Sequence, residues 1–377
     1  MVIGTFSIWM TVLWSSILIL IFYILRKKTI LIDICSVSGV IILYLFCMVR
    51  MALPLEFTWT RIFSGGKVYR YLYLLITQEI GFNLSARTLL LVIWLIGTIY
   101  FTCRYCIHYY RLRKLFHGLA NCNDIKIKDI MQDLDNGGTT KVVRSNIIQT
   151  PCCFGIIHKM IVLPQKDYSD KDLYFILLHE SAHLKNHDIL TKVLINLLCA
   201  IYWWNPFVYI LKKDLNQSLE IRCDHVVANG LDKELRADYL SALLKVFKNT
   251  GTAKDLNKYN QSMMHFLEDH PERLIERFQL VAQYKKRKKW IGNASAWLIA
   301  GTMLIASYSI SIHPHFEPPR DEIETDNYTY EVGPNDSYII KKANGEFFLH
   351  TEQGEILLDE NTINQLEHDG FAVYREE

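Results

Sequence analysis

Residues 173–184 read Leu-Tyr-Phe-Ile-Leu-Leu-His-Glu-Ser-Ala-His-Leu, an apolar run that places His179 and His183 four positions apart. Residues at this spacing share one face of an α-helix, so the two imidazoles can bind one zinc ion while Glu180 projects beside them. A carboxylate next to such an ion can take a proton from water. The stretch therefore predicts a helical zinc site of the kind that hydrolyses peptide bonds.

A zinc site of this kind needs a third protein ligand, and two residues are candidates. His187 continues the helical stripe, but ligands at i, i+4 and i+8 span about 12 Å of helix rise, whereas ligands of one zinc ion lie within about 4 Å of each other. Glu220 is the better candidate, because a second helix can bring its carboxylate to the first. Asp188 and Asp224 are candidate hydrogen-bond partners of the ligand imidazoles. The predicted metal ligands are thus His179, His183 and Glu220, with Glu180 as the catalytic base.

Four apolar stretches are long enough to cross a bilayer, which indicates a multi-pass membrane protein. They are Thr5 to Leu25, Thr29 to Val49, Leu89 to Ile107 and Trp290 to Ile312. No basic residue precedes the first stretch, whereas three follow it directly. A signal peptide has the opposite order, so we expect the first stretch to remain as an anchor with the N-terminus outside.

The distribution of basic residues predicts which segments face the cytoplasm. Arg26 to Lys28, the cluster from Arg104 to Lys114 and the run from Lys285 to Lys289 lie on the same side of a four-span arrangement. Several basic residues in the loop at 50–87 oppose this orientation. We expect a multi-pass cell membrane protein with three spans in residues 1–108 and an outer loop at 50–87, a cytoplasmic zinc protease domain at 109–289, a fourth span at 290–312 and an outer domain at 313–377.

Residues 109–289 are enough for one compact α+β domain, so the whole chain is predicted to be mainly α with a mixed protease domain. Tyr110 to Leu134 is charged and helix-like, and Lys141 to Val143 and Met160 to Pro164 are predicted strands joined through Pro151-Cys-Cys-Phe-Gly155. Ser169 is the predicted N-cap of the active-site helix, which we expect to run from Asp172 to about His187.

The stretch Ile189 to Leu211 is apolar and long enough for a fifth span. A single crossing would place Glu220 on the opposite side of the membrane from the two histidines, which the zinc site forbids. Asn205-Pro206 interrupts the stretch, so we predict two helices, bent at the proline, that rest at the interface or dip into the bilayer and return. The basic amphipathic stretch Glu272 to Lys289 is expected to contact anionic lipid rather than nucleic acid.

Residues 313–377 differ in charge from the rest of the chain. They hold 16 acidic and 4 basic residues, whereas the whole chain has a formal net charge of +2. Alternating apolar residues and turns at Asn344-Gly345 and Gln353-Gly354 predict a small β-rich domain, with a helix at Asp359 to His368. Such charge most often keeps a surface soluble, and the alternative is an outer sensor for a cationic ligand. All nine cysteines lie in predicted spans or in the cytoplasmic part, so we expect no disulfide framework.

Several features, taken in order, resemble the BlaR/MecR-type antirepressor metallopeptidases. They are the N-terminal spans, Pro151-Cys-Cys-Phe-Gly155 leading to Ile161-Val-Leu-Pro164, His179-Glu-Ser-Ala-His183, Trp204-Asn205-Pro206 and Glu220-Ile-Arg-Cys223-Asp224. The resemblance covers roughly residues 1–312. It implies a gluzincin fold with His179, His183 and Glu220 as zinc ligands and Glu180 as the base.

The resemblance also implies a signalling role, in which an outer stimulus activates cytoplasmic proteolysis and relieves a winged-helix-type repressor. The best-known members of the family carry an outer penicillin-binding domain with an S-x-x-K nucleophile. Residues 313–377 contain no such motif, since Ser337 to Lys341 has one residue too many. We therefore expect a stimulus other than covalent β-lactam binding by this chain, or a signal that arrives through a partner. Two other functions stay open, a constitutive quality-control metalloprotease and a non-catalytic zinc-containing receptor, and so does a homodimer.

Overall fold

The computed structural model describes residues 5–27, 30–55, 57–64, 71, 75–76, 79–81, 84–122, 124–135, 140–251, 271–284, 289–313, 338–342, 347–351, 354–358, 362–363, 366 and 371–375. The helices, numbered in chain order, are α1 (Thr5–Lys27), α2 (Ile30–Ala52), α3 (Ala86–His117), α4 (Ile125–Asp135), α5 (Asp170–Lys185), α6 (Asp188–Ile201), α7 (Pro206–Asn229), α8 (Lys233–Gly251), α9 (Pro271–Ala282) and α10 (Lys289–Ser309). The strands are β1 (Arg61–Ser64), β2 (Glu79–Gly81), β3 (Leu84–Ser85), β4 (Lys141–Ser145), β5 (Cys152–Phe154), β6 (Met160–Pro164), β7 (Ile310–His313), β8 (Tyr338–Lys341), β9 (Phe347–Thr351), β10 (Gly354–Leu358) and β11 (Val373–Arg375). The chain divides into two compact units, Met1–Thr60 with Leu75–Ser311, and Arg61–Leu74 with Ile312–Glu377.

In the described part of the chain, three helices are long and apolar enough to cross a membrane, and they coincide with the first three predicted spans. They cover Ser7–Lys27, Cys35–Ala52 and Ala86–His117. Most of the predicted fourth span is helix α10. Helices α1, α2, α6, α7 and α10 share one apolar core, which includes Ile19, Tyr44, Ile195, Leu215 and Ala296. This arrangement of apolar helices fits a membrane protein.

Helices α6 and α7 form the bent pair predicted for the apolar stretch that ends at Leu211. Asn205 caps α7 by accepting a hydrogen bond from the Phe207 amide, and Pro206 follows at the first helical position. The turn between the helices lies among the apolar helices: the Tyr202 hydroxyl donates to the Met51 carbonyl (2.7 Å), and the Asn205 amide contacts Ser16 (3.3 Å). Ser16 is near the middle of α1, so the turn is deep among the apolar helices.

Helix α3 meets this turn through closely packed aromatic side chains. Trp94 donates to the Ile201 carbonyl (2.8 Å), and Trp203 donates to the Trp94 carbonyl (3.4 Å). Gly97 leaves room for the indole, because a Cβ at that position would lie 2.4 Å from the Trp203 ring. The apolar side chains from Leu89 to Leu91 are about half exposed, as expected of a helix that faces lipid.

A three-stranded sheet supports the active-site helix, and one of its strands differs from the prediction. Strand β6 pairs in parallel with β4 and antiparallel with β5. The stretch Pro151 to Gly155, predicted only to join two strands, therefore contains the edge strand β5. The chain turns back at Gly155 (φ 89°). The position requires glycine, because a Cβ there would lie 2.1 Å from the His158 carbonyl oxygen.

Helix α5 packs on this sheet together with α4, through a core that includes Ile127, Ile161, Leu173 and Leu177. Ser169 caps α5 as predicted, since its hydroxyl accepts from the Asp172 amide (3.2 Å). The helix begins slightly before the predicted start at Asp172 and ends at Lys185 rather than near His187. The charged stretch Tyr110 to Leu134 is not one helix, since its first part continues α3 and its second part is α4. The predicted domain boundary after residue 108 therefore lies inside α3.

The second unit contains a four-stranded sheet in the order β10-β9-β8-β11. The pairs β8–β9 and β9–β10 are antiparallel, which agrees with the predicted β-rich domain, while β11 pairs in parallel with β8. The predicted turn at Asn344-Gly345 and most of the predicted helix at Asp359 to His368 lie outside the described residues.

Candidate metal centre

Two packed helices bring the three predicted metal ligands together. His179 and His183 lie one turn apart on the buried face of α5, and Glu220 faces them from α7. The two Nε2 atoms are 3.2 Å apart, and Oε2 of Glu220 lies 3.4 Å from Nε2 of His179 and 3.5 Å from Nε2 of His183. His187, which the helical spacing disfavoured as a ligand, follows the end of α5 with a left-handed backbone (φ 56°).

The three ligand atoms have the spacing that one tetrahedral zinc ion requires. Zinc binds nitrogen and carboxylate oxygen at about 2.0–2.1 Å, so two tetrahedral ligands are about 3.3–3.4 Å apart. The observed separations of 3.2 to 3.5 Å match this value on all three edges of the triangle. A triangle of protein ligands leaves the fourth tetrahedral position open, as catalytic zinc sites do.

Asp188 orients the second histidine. Its Oδ2 lies 2.6 Å from Nδ1 of His183, and its other oxygen pairs with Arg222. The Cys223 thiol is also near, with Sγ 3.2 Å from Nδ1 of His183. A hydrogen bond from Nδ1–H to a carboxylate leaves Nε2 unprotonated toward the site, which is the form of imidazole that binds a metal.

Asp224 and Tyr239 orient the first histidine. The Tyr239 hydroxyl donates to Oδ1 of Asp224 (2.6 Å) and lies 2.9 Å from Nδ1 of His179. Since the hydroxyl has one hydrogen and gives it to the carboxylate, it accepts from Nδ1–H of the imidazole. The sequence left open which aspartate serves which histidine, and the geometry pairs Asp188 with His183 and Asp224 with His179.

Arg277 completes the surroundings of Asp224, although its sequence position gave no indication of this. Its guanidinium forms two hydrogen bonds to the carboxylate, of 2.7 Å and 2.9 Å. It belongs to the stretch Glu272 to Lys289 that was predicted to contact lipid, and for Arg277 that prediction is wrong because the side chain is buried against α7. Tyr239 on α8 was also missed, since no motif or spacing links it to the histidines.

The surrounding charges shift the pKa values of the site in opposite directions. Burial disfavours a charged imidazole, but hydrogen bonds to Asp224 and Glu220 outweigh it and raise the pKa of His179 to about 10. Burial likewise opposes ionisation of Glu220, yet the two imidazoles and Lys192 hold its pKa well below the usual range. Without metal, protons on the imidazoles therefore balance the charge of the carboxylates. A divalent cation can replace these protons.

Glu180 lies beside the ligand triangle and faces the edge strand β5. It is 8 % exposed. Burial, together with the charge of Glu180, raises the pKa of the Cys152 thiol to about 12. Lys192 on α6 lies on the same side, with Nζ 3.3 Å from Oε1 of Glu220. The carboxylate that could act as a base thus projects from the ligand helix on the side of the half-buried strand β5.

A cluster of two histidines and a glutamate with a neighbouring carboxylate, in which the glutamate helix α7 also packs in an apolar bundle, has the features of a membrane metallopeptidase. The family model of the BlaR1 peptidase M56 family matches residues 77–281. This is more than half of the chain, which therefore belongs to the BlaR1 peptidase M56 family. The resemblance seen in the motifs is confirmed.

Individual relatives agree with this membership. The chain is 32% identical over 177 residues to the regulatory protein BlaR1 of Bacillus licheniformis, covering 45% of this chain and 28% of the relative. It is 27% identical over 217 residues to the methicillin resistance mecR1 protein of Staphylococcus aureus, covering 55% of this chain and 35% of the relative. The chain thus spans about a third of the length of these relatives.

Proposed function

We propose that the protein is a membrane-embedded zinc metalloendopeptidase that works as a signal transducer. The observation that carries this proposal is the triangle of Nε2, Nε2 and Oε2 atoms from His179, His183 and Glu220, with edges of 3.2 to 3.5 Å. These residues would hold the ion with gluzincin-type ligands, two histidines from helix α5 and a glutamate from helix α7. A bound zinc ion would supply Lewis acidity, lowering the pKa of water and polarising the scissile carbonyl.

Glu180 would be the general base of the reaction. It follows ligand His179 directly and is buried next to the site. Its carboxylate would take a proton from the attacking water and deliver it to the leaving amine. Asp188 and Asp224 would keep both imidazoles in the tautomer that presents Nε2, which fixes the ligand geometry throughout the reaction.

The packing supports a site close to the inner membrane surface. Arg26, at the predicted cytoplasmic end of α1, contacts Asp214 (2.8 Å) and Ser218 (3.3 Å) on α7. Glu220 is only a short distance further along α7, so the ligand lies about one helical turn beyond the end of α1. The turn at Tyr202 lies in the opposite direction, among the membrane helices, which favours a hairpin that enters the bilayer and returns.

The proposed topology follows from this placement. Residues 1–108 and 290–312 would form the membrane part, residues 109–289 the cytoplasmic protease domain and residues 313–377 an outer domain. The acidic outer domain would detect a cationic peptide or antibiotic, and activation would lead to cleavage of a winged-helix-type repressor. The names of the relatives, a regulatory protein and a methicillin resistance protein, support antibiotic-response regulation.

The test compares zinc content and proteolysis of the purified full-length wild type with Glu180→Gln, using a winged-helix repressor from the same genome as substrate. We expect both proteins to contain zinc and only the wild type to cleave. A wild type without zinc would refute the metal site. Zinc-loaded wild type that stays inactive after deletion of residues 316–377 would favour a receptor, and cleavage of many unfolded proteins but not the repressor would favour quality control.

A further inference from the structure

We infer that Arg277 is a positioning residue that couples helix α9 to the proposed metal ligands. The inference rests on the proposed zinc site and adds to it a residue outside the ligand helices. Arg277 is 4 % exposed, and its Nε and Nη2 atoms form the fork of two hydrogen bonds on Asp224. Its Nη1 atom lies 3.5 Å from Oε2 of Glu220. Arg277 therefore contacts the proposed ligand Glu220 directly. It also contacts Asp224, which orients the proposed ligand His179.

The fork fixes the orientation of the Asp224 carboxylate. Two parallel hydrogen bonds from a planar guanidinium hold a carboxylate in one plane, which a single bond does not. Asp224 is fully buried, so no water is at hand to replace a lost partner. In this plane Oδ1 receives the Tyr239 hydroxyl and lies 3.3 Å from Nδ1 of His179. Loss of the fork would free the carboxylate to rotate and would loosen the imidazole.

The residue before Arg277 fixes the same helix at the predicted membrane border. Glu276 accepts hydrogen bonds from Arg26 (3.1 Å) and Gln217 (3.1 Å), and Arg26 also pairs with Asp214. Helix α9 is thus held on one side by the end of α1 and on the other by the surroundings of the metal ligands. A shift of α9 along α7 would break the fork on Asp224.

This arrangement links the site to the last predicted span. Helix α10 follows α9 in the chain and packs in the core formed by α1, α2, α6 and α7. A change in α10 that moved α9 would therefore reach the proposed ligands through Arg277. The link needs no contact between α10 and the metal site itself.

The test measures zinc affinity in purified full-length protein by competition with a chelator of known affinity. Arg277→Gln should weaken zinc binding by about 10- to 100-fold, the usual effect of losing a residue that orients metal ligands. Arg236→Gln is the matched control: Arg236 donates to the carbonyls of Ala228, Leu231 and Tyr284, away from the ligands. The zinc affinity of Arg236→Gln should equal that of the wild type.

Two further variants separate positioning from simple stability. Arg277→Lys keeps the charge but not the fork, so its zinc affinity should fall between those of the wild type and Arg277→Gln. Combined with Asp224→Asn, Arg277→Gln should add little further loss, because both changes break the same contact. The visible absorption of the cobalt-substituted protein should change with Arg277→Gln and not with Arg236→Gln.

Each outcome decides between the explanations. Wild-type zinc affinity in folded Arg277→Gln would overturn the positioning role. Unfolding of both Arg277 variants beside an intact Arg236→Gln would show a stability residue and would overturn it too. Absence of zinc from the wild type would instead refute the proposed function.

Discussion

Replacing Tyr239 by phenylalanine tests whether the hydroxyl that joins His179 to Asp224 supports metal binding. The hydroxyl donates to Oδ1 of Asp224 over 2.6 Å and accepts from Nδ1 of His179 over 2.9 Å. Tyr239 is 1 % exposed, so bulk water cannot take the place of the missing oxygen. The substitution removes one atom and keeps the ring that packs on Phe175.

The size of the effect follows from the contacts that remain. A hydrogen bond that involves a charged group contributes about 1.5–3 kcal/mol. Part of this is recovered, since Nδ1 of His179 lies 3.3 Å from Oδ1 of Asp224 and can donate there directly. We expect a net loss of about 1–2 kcal/mol in zinc binding, or about 5- to 30-fold in Kd. The metal-free protein should lose less stability, because His179 can then also bond to Glu220 through Nε2.

The assay is chelator competition for zinc, with a thermal melt of the metal-free protein as a check on folding. Tyr284→Phe is the control, because it removes a hydroxyl that donates to Asn229 (3.1 Å) at an exposed position. Equal zinc affinity in wild type, Tyr239→Phe and Tyr284→Phe would refute the role given to the buried hydroxyl.

Asp188→Asn weakens the hydrogen-bond acceptor of the His183 imidazole, so we expect the zinc Kd to rise about 10- to 100-fold. The control Asp170→Asn changes an exposed ion pair and should leave the zinc Kd unchanged. Equal Kd values for the two variants would contradict the role of Asp188. Gly97→Ala places a Cβ 2.4 Å from the Trp203 ring and should destabilise the protein by about 1–3 kcal/mol, seen as a lower Tm. Gly301→Ala, whose Cβ meets nothing within 4 Å, should leave Tm unchanged, and similar Tm values for the two variants would argue against the packing of α3 on the hairpin. Removal of metal by a chelator should lower Tm reversibly, because a ligand at 1,000 times its Kd stabilises the folded state by about 4 kcal/mol; a Tm unaffected by zinc would contradict a site formed only in the folded protein.

The two histidines of the candidate metal centre could be predicted from their spacing, and Glu220 from a second pair of acidic residues with helical spacing. His179 and His183 share a helix face because they are four apart, and Glu220 and Asp224 show the same spacing on helix α7. The break at Asn205-Pro206 was also predictable, because proline removes a helical hydrogen bond and asparagine caps the helix that follows. These features depend on short-range geometry that the chain carries in its local sequence.

The remaining contacts depend on tertiary packing and have no local pattern. Tyr239 and Arg277 reach Asp224 from two other helices, 15 and 53 residues further along the chain, so no helical spacing connects them to the ligands. Arg277 lies in an amphipathic basic stretch, and composition alone cannot separate a buried arginine from its exposed neighbours. Strand β5 was hidden by its flanking Pro151 and Gly155, which predict turns, whereas its pairing with β6 depends on a strand formed later in the chain.

Helix α7 is the element in which membrane packing and the proposed chemistry meet. Its first residue, Pro206, follows the turn that lies among the membrane helices, Asp214 pairs with the end of α1, and Glu220 and Asp224 face the ligand imidazoles. A helix is stiff along its axis because every turn is hydrogen-bonded to the next. A displacement of the buried turn must therefore move the glutamate ligand relative to α5, unless α7 bends. The helix that carries the proposed glutamate ligand thereby makes the geometry of the candidate site sensitive to how the apolar helices pack.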